Sequence, residues 1–165
     1  MVNSYIDKLK SIYTNYEFKI SNVNDTDIFE IINPFKNGNI SVYLDEDDLT
    51  FYFSSQNGHF HNDFDGLVEY IDGFLSEKYV AIEFYISGKD SCGGSLDITE
   101  VDFSSPISIA KCFFKTNEIT QNWFIEQFKN DKYQYKIRSW SGSKDLNADI
   151  IWNGNVFEVN LTLQN

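Results

Sequence analysis

Tyr79-Val80-Ala81-Ile82-Glu83-Phe84-Tyr85-Ile86 is an almost unbroken run of aromatic and β-branched residues. Such side chains fit a pleated surface, and their continuity marks a central strand rather than an edge strand. Just before it, Phe64, Leu67, Val68, Ile71, Phe74 and Leu75 recur at spacings of three and four, which predicts a helix. Asn62 or Asp63 is placed to cap its first exposed amides. Just after the run, Gly88 to Gly94 reads as a loop.

Towards the N-terminus, Val2, Tyr5, Ile6, Leu9, Ile12, Tyr13 and Tyr16 share one helical face. Between the two helices lie short β-rich runs, 17–21, 27–33, 40–44 and 49–54. They are separated by Asn37-Gly38, which tolerates positive φ, and by the polar tip Asp45-Glu46-Asp47-Asp48. That is the pattern of an antiparallel meander.

Towards the C-terminus, 107–114 fits helical spacing and alternation equally, although Ser105-Pro106 is a good helix start. Thr120 can cap a short helix holding Trp123, Phe124 and Phe128, with Ile119 and Phe124 as a hydrophobic staple. Residues 133–140, 148–152 and 155–163 read as strands, the last two joined through Asn153-Gly154. The expected fold is a single α+β domain over residues 1–165: an antiparallel or mixed sheet with two or three helices packed mainly on one face.

The charge is uneven. Acidic residues number 25 and basic ones 13, a formal net of −12. Between Asn22 and Asp72 the only Lys or Arg is Lys36, whereas 104–144 is rich in Lys. A field of this sign repels nucleic acid and attracts basic partners or cations. Residues 1–10 show no apolar core after their first charges, and no stretch is long enough to span a bilayer, so a cytoplasmic protein with no membrane partner is expected. Cys92 and Cys112 are read as reduced thiols. No cofactor is expected, since the glycines form neither GxGxxG nor GxxxxGK[ST].

His59 and His61 are the chain's two histidines. In an extended segment they face the same way and can meet one cation, with Asp63 or Asp65 adding oxygen. Against this metal site, the set has no third strong ligand, and carboxylates that precede a helix usually cap it. Cys92, followed by Gly93 and Gly94, can be read as a nucleophile beside an oxyanion-binding loop with a histidine as base, but Gly-Gly equally suits any tight turn. The tip Asp45, Glu46, Asp47 and Asp48 lacks the glycine and the distant glutamate of a calcium loop. It is either a solvated hairpin end or, together with Asp65, Glu69 and Asp72 on the second helix, a surface for a basic partner. Trp123, Tyr133, Tyr135 and Trp152 are assigned to the core, and Trp140 beside Arg138 to a surface rim.

Gly58, His59, His61 and Phe64, leading into a second helix and then the strand from Tyr79 to Lys89, give the first half a pattern that resembles some immunity proteins of bacterial polymorphic-toxin systems. The resemblance implies a protein that neutralises a cognate toxin by covering or distorting its active site, with no catalytic residue of its own. The expected function is therefore an acidic protein-binding inhibitor, not an enzyme, of a basic protein such as a nuclease toxin. The alternatives are a small metal-dependent enzyme using His59 and His61, and a non-catalytic structural or regulatory module.

Overall fold

The computed structural model describes residues 2–45, 48–86, 89–115, 117–130 and 132–163, with side chains for all of these except 2, 3, 86 and 89–91. Its elements are α1 (Val2–Ile12), β1 (Phe18–Val23), β2 (Thr26–Ile31), β3 (Ile40–Leu44), β4 (Leu49–Phe53), β5 (Gln56–Phe60), α2 (Phe64–Leu75), β6 (Tyr79–Ile86), β7 (Lys89–Asp97), α3 (Pro106–Phe113), α4 (Glu118–Asn130), β8 (Tyr133–Arg138), β9 (Leu146–Trp152) and β10 (Phe157–Leu163). The strands form two five-stranded antiparallel sheets, ordered β1-β2-β3-β4-β5 and β10-β9-β8-β6-β7. The expectation of one sheet with two or three helices is corrected: there are two sheets, and four helices among the described residues.

Each sheet buries one face against its own pair of helices. In the first half, Ile6, Leu9 and Tyr13, on and just beyond α1, and Leu67, Ile71 and Phe74 of α2 pack on Phe29, Ile31, Ile40, Val42, Leu44, Leu49, Phe51 and Phe53. In the second, Ile109 and Ala110 of α3 and Phe124 and Phe128 of α4 pack on Val80, Ile82, Phe84, Tyr133, Tyr135, Ile137, Ala148 and Ile150. The almost unbroken apolar run of β6, interrupted at Glu83, now has a cause. Its odd positions Tyr79 and Ala81 serve the first core, and its even positions Val80, Ile82 and Phe84 serve the second. A strand shared by two cores cannot alternate with polar residues.

Two sequence ambiguities resolve on local physics. Residues 106–113 are helical because Ser105 accepts a hydrogen bond from the Ser108 amide at 3.2 Å and Pro106 sits where its missing N–H costs nothing. The expected loop at 88–94 is strand β7 from Lys89 onwards, while Gly88 itself lies outside the described residues. Its glycines are packing residues, not turn residues: a Cβ on Gly94 would stand 2.2 Å from Phe113 Cε2. Helix α4 begins earlier than expected, at Glu118, because Asn117 and not Thr120 supplies the cap, with Oδ1 accepting from the Thr120 amide at 3.0 Å. Ile119 is then 83% exposed and staples nothing.

The halves are joined at one end of the first sheet. The β2–β3 connection contributes Asn33, which is buried and donates to the carbonyls of Gly38 at 2.9 Å and Trp140 at 2.8 Å. Asn37 donates to the Ser139 carbonyl at 2.7 Å and to Asp145 Oδ2 at 3.1 Å. Asp145, also buried, accepts the Ser139 amide at 2.7 Å. Glu77, after α2, accepts from the Ser141 amide at 2.7 Å and Ser143 Oγ at 3.0 Å. Burial pushes the Glu77 carboxyl up, but these hydrogen bonds and nearby Lys144 together hold it below its ordinary value. Trp140, expected at a surface rim, is 4% exposed and inserts into the first core beside Phe53, with ring centroids 6.1 Å apart. No helix among the described residues is long and apolar enough to cross a membrane.

Candidate functional site

In an antiparallel meander alternate connections fall at the same end of the sheet. The β2–β3 and β4–β5 connections face the second half, where Ser54 Oγ donates to Glu83 of β6 at 2.9 Å. The β1–β2, β3–β4 and β5–α2 connections lie at the other end. They bring together Asp25, Asp27, Asp45, Asp48 and Asp63, with Asp65 in the first turn of α2, and residues 22–27, 45–50 and 59–65 contain no Lys or Arg. Carboxylates far apart in the chain thus share one end of the sheet.

This end is built from short polar residues for a reason. Asn24, Asp25 and Asn62 all adopt positive φ, a region that Asn and Asp tolerate better than bulkier residues. Thr26 Oγ1 donates to Asp45 Oδ1 at 2.9 Å, tying the first connection to the second, and Asn22 Nδ2 donates to Asp27 Oδ1 at 2.8 Å. Asp63 is the helix cap, accepting from the Gly66 amide at 2.9 Å. Glu46 and Asp47, expected at the partner-binding tip, lie outside the described residues.

His59 and His61 do project together, but towards Asp48 and not towards Asp63 or Asp65. His59 Nδ1 is 2.7 Å from Asp48 Oδ2, and His61 Nδ1 is 3.3 Å from Oδ1, an ion-pair distance without hydrogen-bond geometry. Thr50 Oγ1 donates to Asp48 Oδ2 at 3.0 Å. The hydrogen bond from His59 is the main reason the Asp48 carboxyl lies below its ordinary value, with Thr50 and the nearby imidazoles adding to it. The imidazole centroids are 6.3 Å apart, and the described residues contain no group of three His, Cys, Asp or Glu side chains that could hold a metal ion. As placed, the pair grips a carboxylate.

Asp65, Glu69 and Asp72 are exposed on α2 at spacings of four and three, so the acidic surface continues from the sheet end along one helix face. Asp72 also accepts from the Tyr13 hydroxyl at 3.1 Å. Burial first, and the Asp72 charge second, raise the Tyr13 hydroxyl well above its ordinary value. Sequence reasoning missed Tyr43 and Tyr52. They stand partly exposed on the face of the first sheet away from the helices, ring centroids 4.9 Å apart, with Tyr43 paired to Thr50 and Thr50 to His59 across the strands. The available signal was phase, since both tyrosines alternate with core residues, Val42 and Leu44 in one strand and Phe51 and Phe53 in the other.

The other candidate residues are dispersed. Cys92 is exposed on β7 opposite Phe84, and Gly93 and Gly94 pair with Glu83 and Ile82, so their backbones belong to a strand ladder and not to an oxyanion-binding loop. The Cys112 thiol donates to the Glu100 carbonyl at 3.0 Å and is pushed up by burial first and by the Glu100 charge next, the opposite of an activated nucleophile. Tyr133 and Tyr135 are buried as expected, whereas Trp123 is 59% exposed. A cleft between the halves, lined by Tyr70, Tyr79, Ser95, Asp97, Cys112 and Lys115, is braced by a 2.8 Å hydrogen bond from Tyr70 to Ser95.

The fold and the site together define an acidic α+β protein of two sheet-and-helix halves, one of which leaves a carboxylate-rich end open. Comparison of the chain with protein families, with curated proteins and with solved structures finds no match.

Proposed function

We propose that this chain is an acidic binding protein that inhibits a basic protein partner, and that the partner docks on the carboxylate-rich end of the first sheet. The observation that carries the reading is the convergence of Asp25, Asp45, Asp48 and Asp63 from separate connections, with Asp27 at the start of β2, in segments that contain no Lys or Arg. Like charges held together repel one another, and a cationic surface that neutralises them gains both affinity and a fast, steered approach. Tyr43 and Tyr52 beside this end supply the aromatic contact that partner-binding surfaces favour. Inhibition fits the resemblance to toxin immunity proteins, and a nuclease, whose own substrate is anionic, has the matching charge.

The test is native mass spectrometry of the chain isolated from its own host at low ionic strength. The expected result is a complex with one basic polypeptide at equal stoichiometry, dissociating as salt is raised, whose nuclease activity appears on release. Recovery of the chain with no polypeptide bound at low salt contradicts the proposal.

A further inference from the structure

We propose that a second copy of this chain pairs through β10, joining the two second sheets edge to edge about a twofold axis. β10 is the terminal strand of its sheet and pairs with β9 alone, so its outer side presents backbone groups in register for another strand. The other sheet edges are guarded or engaged. β1 carries Lys19 at its second position, the kind of charge that deters edge pairing. The β5 and β7 edges lie against each other: Gln56 of β5 donates to the Tyr70 hydroxyl at 3.2 Å, and that hydroxyl donates to Ser95 of β7 at 2.8 Å. A Cβ on Gly93 of β7 would stand 3.4 Å from Ser55 Oγ. β10 contains no Lys, Arg or Pro, and its pairing with β9 runs without a register break.

The strand's own pattern names the occupant. Its sequence, Phe-Glu-Val-Asn-Leu-Thr-Leu, is symmetric in polarity about Asn160. Antiparallel pairing of two copies centred there sets Phe157 opposite Leu163, Val159 opposite Leu161, Glu158 opposite Thr162, and Asn160 opposite itself. Every apolar residue meets an apolar one on the same face. The strand's single charge, Glu158, meets a hydroxyl and not another carboxylate. In a chain of net −12, this is an edge where two copies can approach without opposing their acids. Leu161 and Leu163, 45% and 69% exposed, continue the face on which Phe157 and Val159 already pack against the second core, and pairing covers them. Such a contact is isologous and closes at two copies. It leaves the acidic end of the first sheet out of the interface, so it stands or falls independently of the proposed function.

The test is sedimentation equilibrium of the purified chain and of two variants. The native chain is expected to sediment as a dimer of the 19.2 kDa chain. Leu161→Lys, which sets an ammonium against Val159 of the second copy, is expected to weaken dimerisation by about a hundredfold. Thr162→Lys sets its ammonium against Glu158 of the second copy and is expected to leave the dimer at least as tight. Circular dichroism and thermal melts of both variants check that they fold. A native chain that stays monomeric overturns the proposal, as does a dimer that survives Leu161→Lys, one that Thr162→Lys splits, or association only with a different polypeptide.

Discussion

Trp140→Ala is expected to lower the unfolding free energy by about 3–5 kcal/mol, the range for removing a large aromatic side chain from a packed core. Trp140 belongs by sequence to the β8–β9 connection of the second half, yet its ring fills the first core and is 4% exposed. Its loss leaves a cavity lined by Phe53 and its neighbours and removes the apolar plug between the halves. Urea denaturation followed by far-ultraviolet circular dichroism measures the change. Because small proteins carry only about 5–15 kcal/mol in total, the shift in midpoint should be large. A loss below about 1 kcal/mol would place the ring at the surface rim that its sequence context suggested.

Asp145→Ala is expected to cost about 3 kcal/mol by the same measurement, through polarity and not volume. The carboxylate is buried and accepts from the Ser139 amide, the Ser139 hydroxyl at 3.3 Å and Asn37 Nδ2, with Arg138 Nη1 3.7 Å away. Alanine leaves the buried Ser139 amide and hydroxyl, and the half-buried Asn37 donor, without this acceptor. Asp145→Asn should cost less: it can still accept the Ser139 amide, but its new NH₂ group faces the donor groups of Asn37 and Arg138. The ordering native, then Asn, then Ala distinguishes a hydrogen-bonded clasp from simple space filling.

How far the sequence carried depended on whether a residue's neighbours in space were also its neighbours along the chain. The helical face of Ile6, Leu9 and Tyr13, the cap at Asp63 and the hairpin turn at Gly154 are local, and their spacing or turn chemistry was enough. The two-sheet architecture was not. β6 looked like a central strand, which it is, but its almost unbroken apolar run comes from serving two cores, and a run of that kind carries no mark of the second. Gly93 and Gly94 read as loop residues because the groups that crowd them, Ser55 and the Ile82 carbonyl at Gly93 and Phe113 of α3 at Gly94, are distant in sequence. The acidic site was half legible for the same reason. The tip around Asp45 and Asp48 stood out as a cluster, whereas Asp25, Asp27 and Asp63 joined it only once the sheet order placed their connections at one end. The side-by-side orientation of His59 and His61 followed from strand alternation, but that both would turn to Asp48 depended on the pairing of β4 with β5.

The central claim is that the carboxylate-rich end, and not net charge alone, recruits the partner. Two triple variants of equal net charge separate these: Asp25→Asn, Asp45→Asn and Asp65→Asn at that end, and Glu100→Gln, Glu118→Gln and Glu126→Gln in the second half. The measurement is the association rate of each with the polypeptide that copurifies with the native chain, at low ionic strength. The account predicts that the first variant associates about 10–100-fold more slowly than the native chain and that the second stays close to it, because steering is set by charges near the docking surface. An equal slowing of both variants, or a larger slowing of the second, would contradict it.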